Sequence, residues 1–277
     1  SGYIVIWLAE EKRAQVIDFQ GTLPQTIQLD DYPLDPDVPE SIMGFPGVVD
    51  NANVAGYRSF TVPGAWSGLS AAVDKFGRLG RDRILQPAIQ LATRGLPVDW
   101  FTTLQIALEA GELAKYPSSA AVYLPGGAPA QPEQFLSLGN LSKTLQSIAE
   151  NGPEEFYSGK LGEQIAADLQ AGGSRISIED LASYEPVLMD PLVGQHRGAT
   201  LYTAGENSGG LRLNEALEYV AEHLDVGQPI GAHTYSTYAS ALNKAFKSHK
   251  ERLGRIITAG CTSHMSAVDA DGNMVAL

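Results

Sequence analysis

The sequence has 277 residues, 44% of them hydrophobic and 18% charged, the composition of a globular chain long enough to bury a sizeable core. Its formal net charge of -13, with no Lys- or Arg-rich run to offset it, repels a phosphate backbone and argues against nucleic-acid binding. The single cysteine, Cys261, cannot make an internal disulfide and has no second thiol for a zinc cluster, and no apolar run reaches the ~18 residues of a membrane helix.

In chain order, Tyr3 to Leu8 reads as a strand, Ala9 to Lys12 as a polar turn and Ala14 to Phe19 as a return strand, so the chain opens on a hairpin. Residues 21 to 59 are rich in Pro, Asp and Gly, without sustained periodicity, and are expected to run irregularly over the surface or beside a site. From Ala65 to Val73 apolar residues recur at helical spacing, with Gly77 as a stop. Further helices are expected over Arg83 to Thr93, Trp100 to Lys115, Leu141 to Glu150 and Gly159 to Ala171, with a loop from Pro125 to Pro132. Ser177-Ile178-Glu179-Asp180 has the form of a capping sequence for a short helix.

Val187 to Val193 and Thr200 to Thr203 are strand-like, and Leu211 to Leu224 and Tyr235 to Lys247 are amphipathic helices. The chain closes on a second hairpin, Thr262 to Val268 and Met274 to Leu277, around an Asp271-Gly272 turn that needs positive φ. Helices dominate the middle and hairpins the two ends. The two hairpins are expected to share one sheet, which would bring residue 262 near the opening segment. Both ends fall within strand-like sequence, so the chain reads as part of a longer one, and no compartment is assigned.

No phosphate-loop or paired-histidine zinc motif is present. The five histidines, His196, His223, His233, His249 and His264, lack ligand spacing. Neither a metal nor another cofactor is expected. Chemistry concentrates in Cys261-Thr262-Ser263-His264, three nucleophile types at the start of a strand. A free hydroxyl needs an adjacent base. A cut before Thr262 would supply one, because the new α-amine has a pKa of about 7.7 to 8.0 and can take the hydroxyl proton itself.

The stretch Thr262-Ser263-His264-Met265-Ser266, followed by Val268-Asp269-Ala270-Asp271-Gly272-Asn273, resembles the start of the small subunit in the γ-glutamyltranspeptidase-like family of N-terminal-nucleophile (Ntn) hydrolases. Ordered matches run along most of the chain: Val62-Pro63-Gly64, Lys75 to Leu79, Leu85 to Ile89, Phe156 to Gly159, Ala171 to Gly173 and Glu179 to Tyr184. The resemblance implies an α+β fold, a four-layer αββα sandwich with a helix-rich middle segment. Residues 1–261 would be a large-subunit portion and residues 262–277 the start of a small subunit, together one domain. It also implies self-cleavage between Cys261 and Thr262, a large/small subunit heterodimer, and an amide hydrolase or acyl transferase working through a threonine acyl-enzyme on a small amide or γ-glutamyl-like substrate. Cys261 or Ser263 would be the nucleophile if the cut fell one bond to either side.

One departure bears on substrate. Glutathione-handling members carry Asp-Phe-Arg-Glu after the second strand, where the arginine grips a substrate carboxylate; here the same place reads Asp18-Phe19-Gln20-Gly21. Gln20 cannot make the bidentate charge-assisted pair of a guanidinium, so a substrate other than plain glutathione is expected. Arg58, from the neighbouring loop, is a candidate for the missing charge. His264, two residues beyond Thr262 and on the same strand face, is a candidate to orient the hydroxyl or to pack. The alternatives are hydrolysis of a carbon–carbon bond beside a carbonyl by the same nucleophile, and a catalytically silent binding module.

Overall fold

The computed structural model describes residues 2–40, 46–205, 208–225, 227, 229–253 and 263–277. In chain order its elements are β1 (Tyr3–Leu8), β2 (Arg13–Asp18), α1 (Ala65–Phe76), α2 (Arg81–Arg94), β3 (Leu96–Pro97), α3 (Trp100–Leu108), α4 (Ala110–Leu113) and α5 (Pro117–Tyr123). They continue with β4 (Phe135–Leu136), α6 (Leu141–Asn151), α7 (Glu154–Tyr157), α8 (Lys160–Ala171), α9 (Ile178–Ala182), β5 (Val187–Met189), β6 (Leu192–His196) and β7 (Ala199–Thr203). Two long helices, α10 (Gly210–His223) and α11 (Ala232–Leu253), precede the closing strands β8 (Ser266–Val268) and β9 (Met274–Ala276).

The two terminal hairpins share one antiparallel sheet in the order β5-β2-β1-β9-β8. β1 pairs with β2 from Tyr3↔Asp18 to Leu8↔Arg13, and with β9 from Val5↔Ala276 to Trp7↔Met274. The closing turn is built by Asp269, whose carboxylate accepts the N–H groups of Asp271 and Asn273, while Gly272 takes φ 85°. Asn273 Oδ1 then accepts the Ala9 N–H at 2.9 Å, locking one hairpin tip to the other.

Alternation along β1 and β2 gives the sheet two faces. Ile4, Ile6 and Ile17 point towards α1 and form a buried cluster with Phe19, against which Ala65, Ala72 and Phe76 pack. Each such side chain contributes about 1.5–3 kcal/mol by leaving water. On the opposite face Trp7 stacks on Tyr202 of β7, ring centroids 5.3 Å apart. The β6–β7 hairpin is thus a second β layer, and its other side meets α10, where a Cβ on Gly194 would strike the Asn214 side chain. Val220, Leu224 and Ala241 pack α10 on α11. The layers run helix, sheet, sheet, helix.

The structure corrects three local expectations. Residues 187 to 193 are not one strand: β5 joins the first sheet through Val16↔Met189, and β6 joins the second through Leu192↔Thr203. The break falls at Asp190-Pro191, where proline has no N–H for a ladder. The helix expected over Trp100 to Lys115 is split at Glu109, with φ -100° and ψ 5°, just before Gly111 raises the cost of helix. Pro117–Tyr123, unassigned in the sequence reading, is a helix with proline at its first turn. The closing hairpin's first strand begins at Ser266, although Met265 and Leu277 still exchange both N–H···O bonds, at 2.8 and 2.9 Å.

Candidate active site

The two β layers do not meet along their whole length. At the end where β2 and β7 finish, a cleft of about 940 Å³ opens between them. Parts far apart in the chain reach it: Tyr3 and Val5 of β1, Phe19 and Gln20 after β2, Ala65 and Leu69 of α1, Tyr202 and Thr203 at the end of β7, Ser208 to Gly210 at the start of α10, Ser263 and His264 before β8, and Ala276 and Leu277 at the end of β9. Cys261 and Thr262 lie outside the described residues.

Gln20 sits where it does because its backbone is held at both ends. Its N–H donates to Asp18 Oδ1 at 2.9 Å, and its carbonyl accepts the Tyr184 hydroxyl at 2.8 Å. Burial, and after it the negative charge of Asp18, pushes the Tyr184 phenol up to about 12, so it stays a donor at every physiological pH. Gly64 makes this clamp possible, since a Cβ there would run into both the Tyr184 hydroxyl and the Phe19 carbonyl. The side chain of Gln20 is exposed.

On the opposite wall the imidazole Nε2 of His264 lies 2.8 Å from Ser266 Oγ, two residues along the same face. Ser208 shapes the start of α10: its hydroxyl donates to Gly205 O at 2.7 Å and accepts the Gly210 N–H at 3.0 Å. A helix start presents unpaired N–H groups and a partial positive charge of about half an electron. The cleft therefore combines a dipolar donor surface with hydroxyl and imidazole groups, a setting suited to a polarised carbonyl oxygen.

The structure brings Gln20, Ser263 and His264 into this cleft but not Arg58. Arg58 stands in a separate recess with Asp31 and Arg175, its guanidinium 5.3 Å from the centre of the Tyr32 ring. The Tyr32 hydroxyl donates to the Arg58 carbonyl at 2.7 Å, which fixes the loop there. Sequence reasoning did not single out Tyr202, Phe19 or Tyr3. Strand alternation placed Tyr202 on one face of its hairpin, but which face met the first sheet was not encoded locally. Among the described residues no three His, Cys, Asp or Glu side chains gather as a metal site, and no helix is long and apolar enough to cross a membrane.

The profile of the gamma-glutamyltranspeptidase family matches residues 1–258. The chain belongs to that family. This γ-glutamyltranspeptidase-family chain is 32% identical over 259 residues to the glutathione hydrolase proenzyme of Escherichia coli K12, covering 78% of this chain and 45% of that one. It is 37% identical over 179 residues to the acylase ACY 1 proenzyme of Pseudomonas sp. strain SE83, covering 64% and 32% respectively. The γ-glutamyltranspeptidase of Helicobacter pylori has the same fold, with a TM-score of 0.79 and 27% identity over 88% of this chain and 68% of that one. The chain thus spans about half or less of the length of these curated relatives. The αββα arrangement described above is the family's Ntn-hydrolase sandwich.

Proposed function

We propose that this γ-glutamyltranspeptidase-family chain belongs to a self-cleaving amide hydrolase or acyl transferase whose nucleophile is Thr262, acting on a substrate other than plain glutathione. Residues 1–261 form the large-subunit portion and residues 262–277 the start of the small subunit, held together after cleavage as one domain. The observation that carries this reading is that Ser263, the residue next to Thr262, lines the inter-sheet cleft with His264, Gln20 and the first turn of α10. Two of the similar proteins are named proenzymes, in keeping with a processed chain.

Cleavage of the Cys261–Thr262 bond frees the α-amine of Thr262. That amine takes the proton of the threonine hydroxyl as the oxygen adds to the substrate carbonyl. Collapse of the tetrahedral intermediate breaks the carbon–nitrogen bond, and the departing amine leaves with the proton. Water then releases the acyl group as an acid, or an amine accepts it. We assign His264, which bonds to Ser266 Oγ, the role of orienting the hydroxyl. Gln20 lines the cleft at the place in the chain where the glutathione-handling pattern has an arginine, and its neutrality supports a substrate other than glutathione.

Intact-mass analysis with a denaturing gel tests this on the full-length protein, beside Thr262→Ala. The expected outcome is two fragments from the wild type, the smaller starting at Thr262, and one uncut chain from the variant. An uncut wild type would overturn the reading in favour of a silent member of the fold. A small fragment starting at Cys261 would keep the mechanism and change its nucleophile.

A further inference from the structure

Three of the motifs read along the sequence, 62–64, 156–159 and 179–184, take no part in the chemistry proposed above, yet they converge on one point beside the cleft. Val62, Tyr157 and Tyr184 share a buried cluster with Ala166 and Leu169 of α8 and Leu181 of α9. The Tyr157 and Tyr184 rings stack in it, 5.8 Å between centroids and 12° between planes. The Tyr157 hydroxyl donates to Pro63 O at 2.8 Å and accepts the Ser67 N–H at 3.1 Å, which fastens the stack to the entry of α1. The Tyr184 hydroxyl reaches out of the cluster and donates to the carbonyl of Gln20 at 2.8 Å. Gly64 leaves room for this, since a Cβ there would strike both that hydroxyl and the Phe19 carbonyl.

Gln20 lies beyond the end of β2, and side chains hold its two backbone polar groups. The two ties differ in kind. Asp18, which accepts the Gln20 N–H, is only two residues away and moves with the same piece of chain. Thr22 and Val62 exchange N–H···O bonds at 2.8 and 3.2 Å, but two residues further on. The Tyr184 bond ties residue 20 itself to a separate packed body. Gln20 lines the cleft with an exposed side chain, so the place of its backbone sets where that side chain stands. A misplacement of about 1 Å at a binding group can cost on the order of 100-fold in rate.

We infer that Tyr184 is a positioning residue for the acyl site: its hydroxyl fixes residue 20 against the helical core and so sets where the Gln20 side chain meets the acyl group. It acts through Gln20 and touches no substrate atom. This rests on the cleft being the acyl site of the Thr262 reaction proposed above.

Tyr184→Phe removes one oxygen and keeps the stacked ring. Hydrogen exchange of the full-length protein, followed by mass spectrometry, reads the clamp without any substrate. Amides of residues 19–22 should exchange about 5-fold faster in the variant, the factor one lost hydrogen bond gives, with residues 3–8 unchanged. Equal exchange in the two proteins overturns the inference.

Kinetics on the processed protein use the p-nitroanilides of L-γ-glutamate, glutarate and hexanoate. For the best of them Tyr184→Phe should raise KM about 5-fold or more, with kcat within about 2-fold. In a Gln20→Ala background the same substitution should change KM by less than about 2-fold, because no side chain is left to position. Equal effects in both backgrounds, or a fall in kcat alone, overturn the inference. Tyr157→Phe is the control, since it loses a hydroxyl from the same stack and keeps the Tyr184 bond to Gln20. A KM rise as large as that of Tyr184→Phe would mean general loosening and also overturn it. So would a processed wild type that cleaves none of the three compounds. An uncut wild type, with exchange at 19–22 still faster in Tyr184→Phe, would instead remove the nucleophile assignment and leave Tyr184 as the anchor of residue 20.

Discussion

Around α9 the molecule pairs its buried carboxylate and its Tyr157 hydroxyl, whereas between α10 and α11 it leaves several ionisable or amide groups without partners among the described residues. Asp180, 6% exposed, accepts the N–H groups of Gln25 and Ser177 on its two oxygens, while Ser177 Oγ accepts the Asp180 N–H. Nearby, the Tyr157 hydroxyl donates to Pro63 O and accepts the Ser67 N–H. In the other region Asn214 Oδ1, Glu215 Oε2 and His249 Nδ1 are buried with no hydrogen-bond partner among the described residues. The difference lies in what reaches each group. Asp180 is met by two backbone N–H donors, one from its own capping box and one from Gln25 far along the chain, while Glu215 and His249 sit on different helices and depend on how those helices dock. A carboxylate held by N–H donors stays ionised further into acid, whereas a buried imidazole without a partner makes the fold sensitive to it.

The largest expected effect lies where the paired region is tightest. Gly64→Ala pushes a methyl group into the Tyr184 hydroxyl and the Phe19 carbonyl, breaking the clamp on Gln20. Overpacking of this kind costs about 3 kcal/mol, read as a shift in the urea unfolding midpoint. A change below about 1 kcal/mol would show that the Tyr184 clamp yields easily. Next, Asp180→Ala removes the acceptor of two backbone N–H groups and should cost about 2 kcal/mol by the same measurement. A near-neutral result would dissolve the contrast between the two regions.

The smallest effect is the most discriminating, because it separates the regions by pH. Burial, and after it the positive charges of Arg212 and Arg252, holds the His249 pKa below the ordinary 6.5, against the pull of Glu215. The unfolded chain takes up a proton near 6.5 that the folded chain resists, so this stability is present above 6.5 and falls as the pH drops towards the lower folded pKa. Burial raises the Asp180 carboxyl, but the Gln25 and Ser177 hydrogen bonds outweigh it and hold the pKa below 3.8. Its contribution is intact above 3.8 and is lost only as the pH falls below that. Thermal midpoints of the wild type should therefore decline first between pH 6.5 and 5, and His249→Phe should flatten that first decline while leaving the one below pH 4. An unchanged profile in the variant would place the early acid sensitivity elsewhere.

Much of this protein was legible before any coordinates. The opening strands, read from Tyr3 and from Ala14, the α1 helix from Ala65, the Ser177–Asp180 cap and the Gly272 turn all declare themselves through spacing and turn chemistry within a few residues. The family resemblance rested on ordered short motifs, and it predicted the layers correctly. The candidate site was legible only in part. Gln20 and His264 were singled out and do share a cleft, whereas Arg58, close in sequence, stands apart in the recess with Tyr32.

What the sequence determined by itself is therefore local: periodicity of 2 or 3.6, caps, positive φ at a turn, and the identity of residue 20. Tertiary structure decided which strand joined which sheet, so that the chain changes layers at Pro191, and which strand faces met, so that Tyr202 lies on Trp7. It also decided which residues line the cleft, because its walls come from segments far apart in the chain. Pairing between such segments depends on long-range packing energies that no short window of sequence contains.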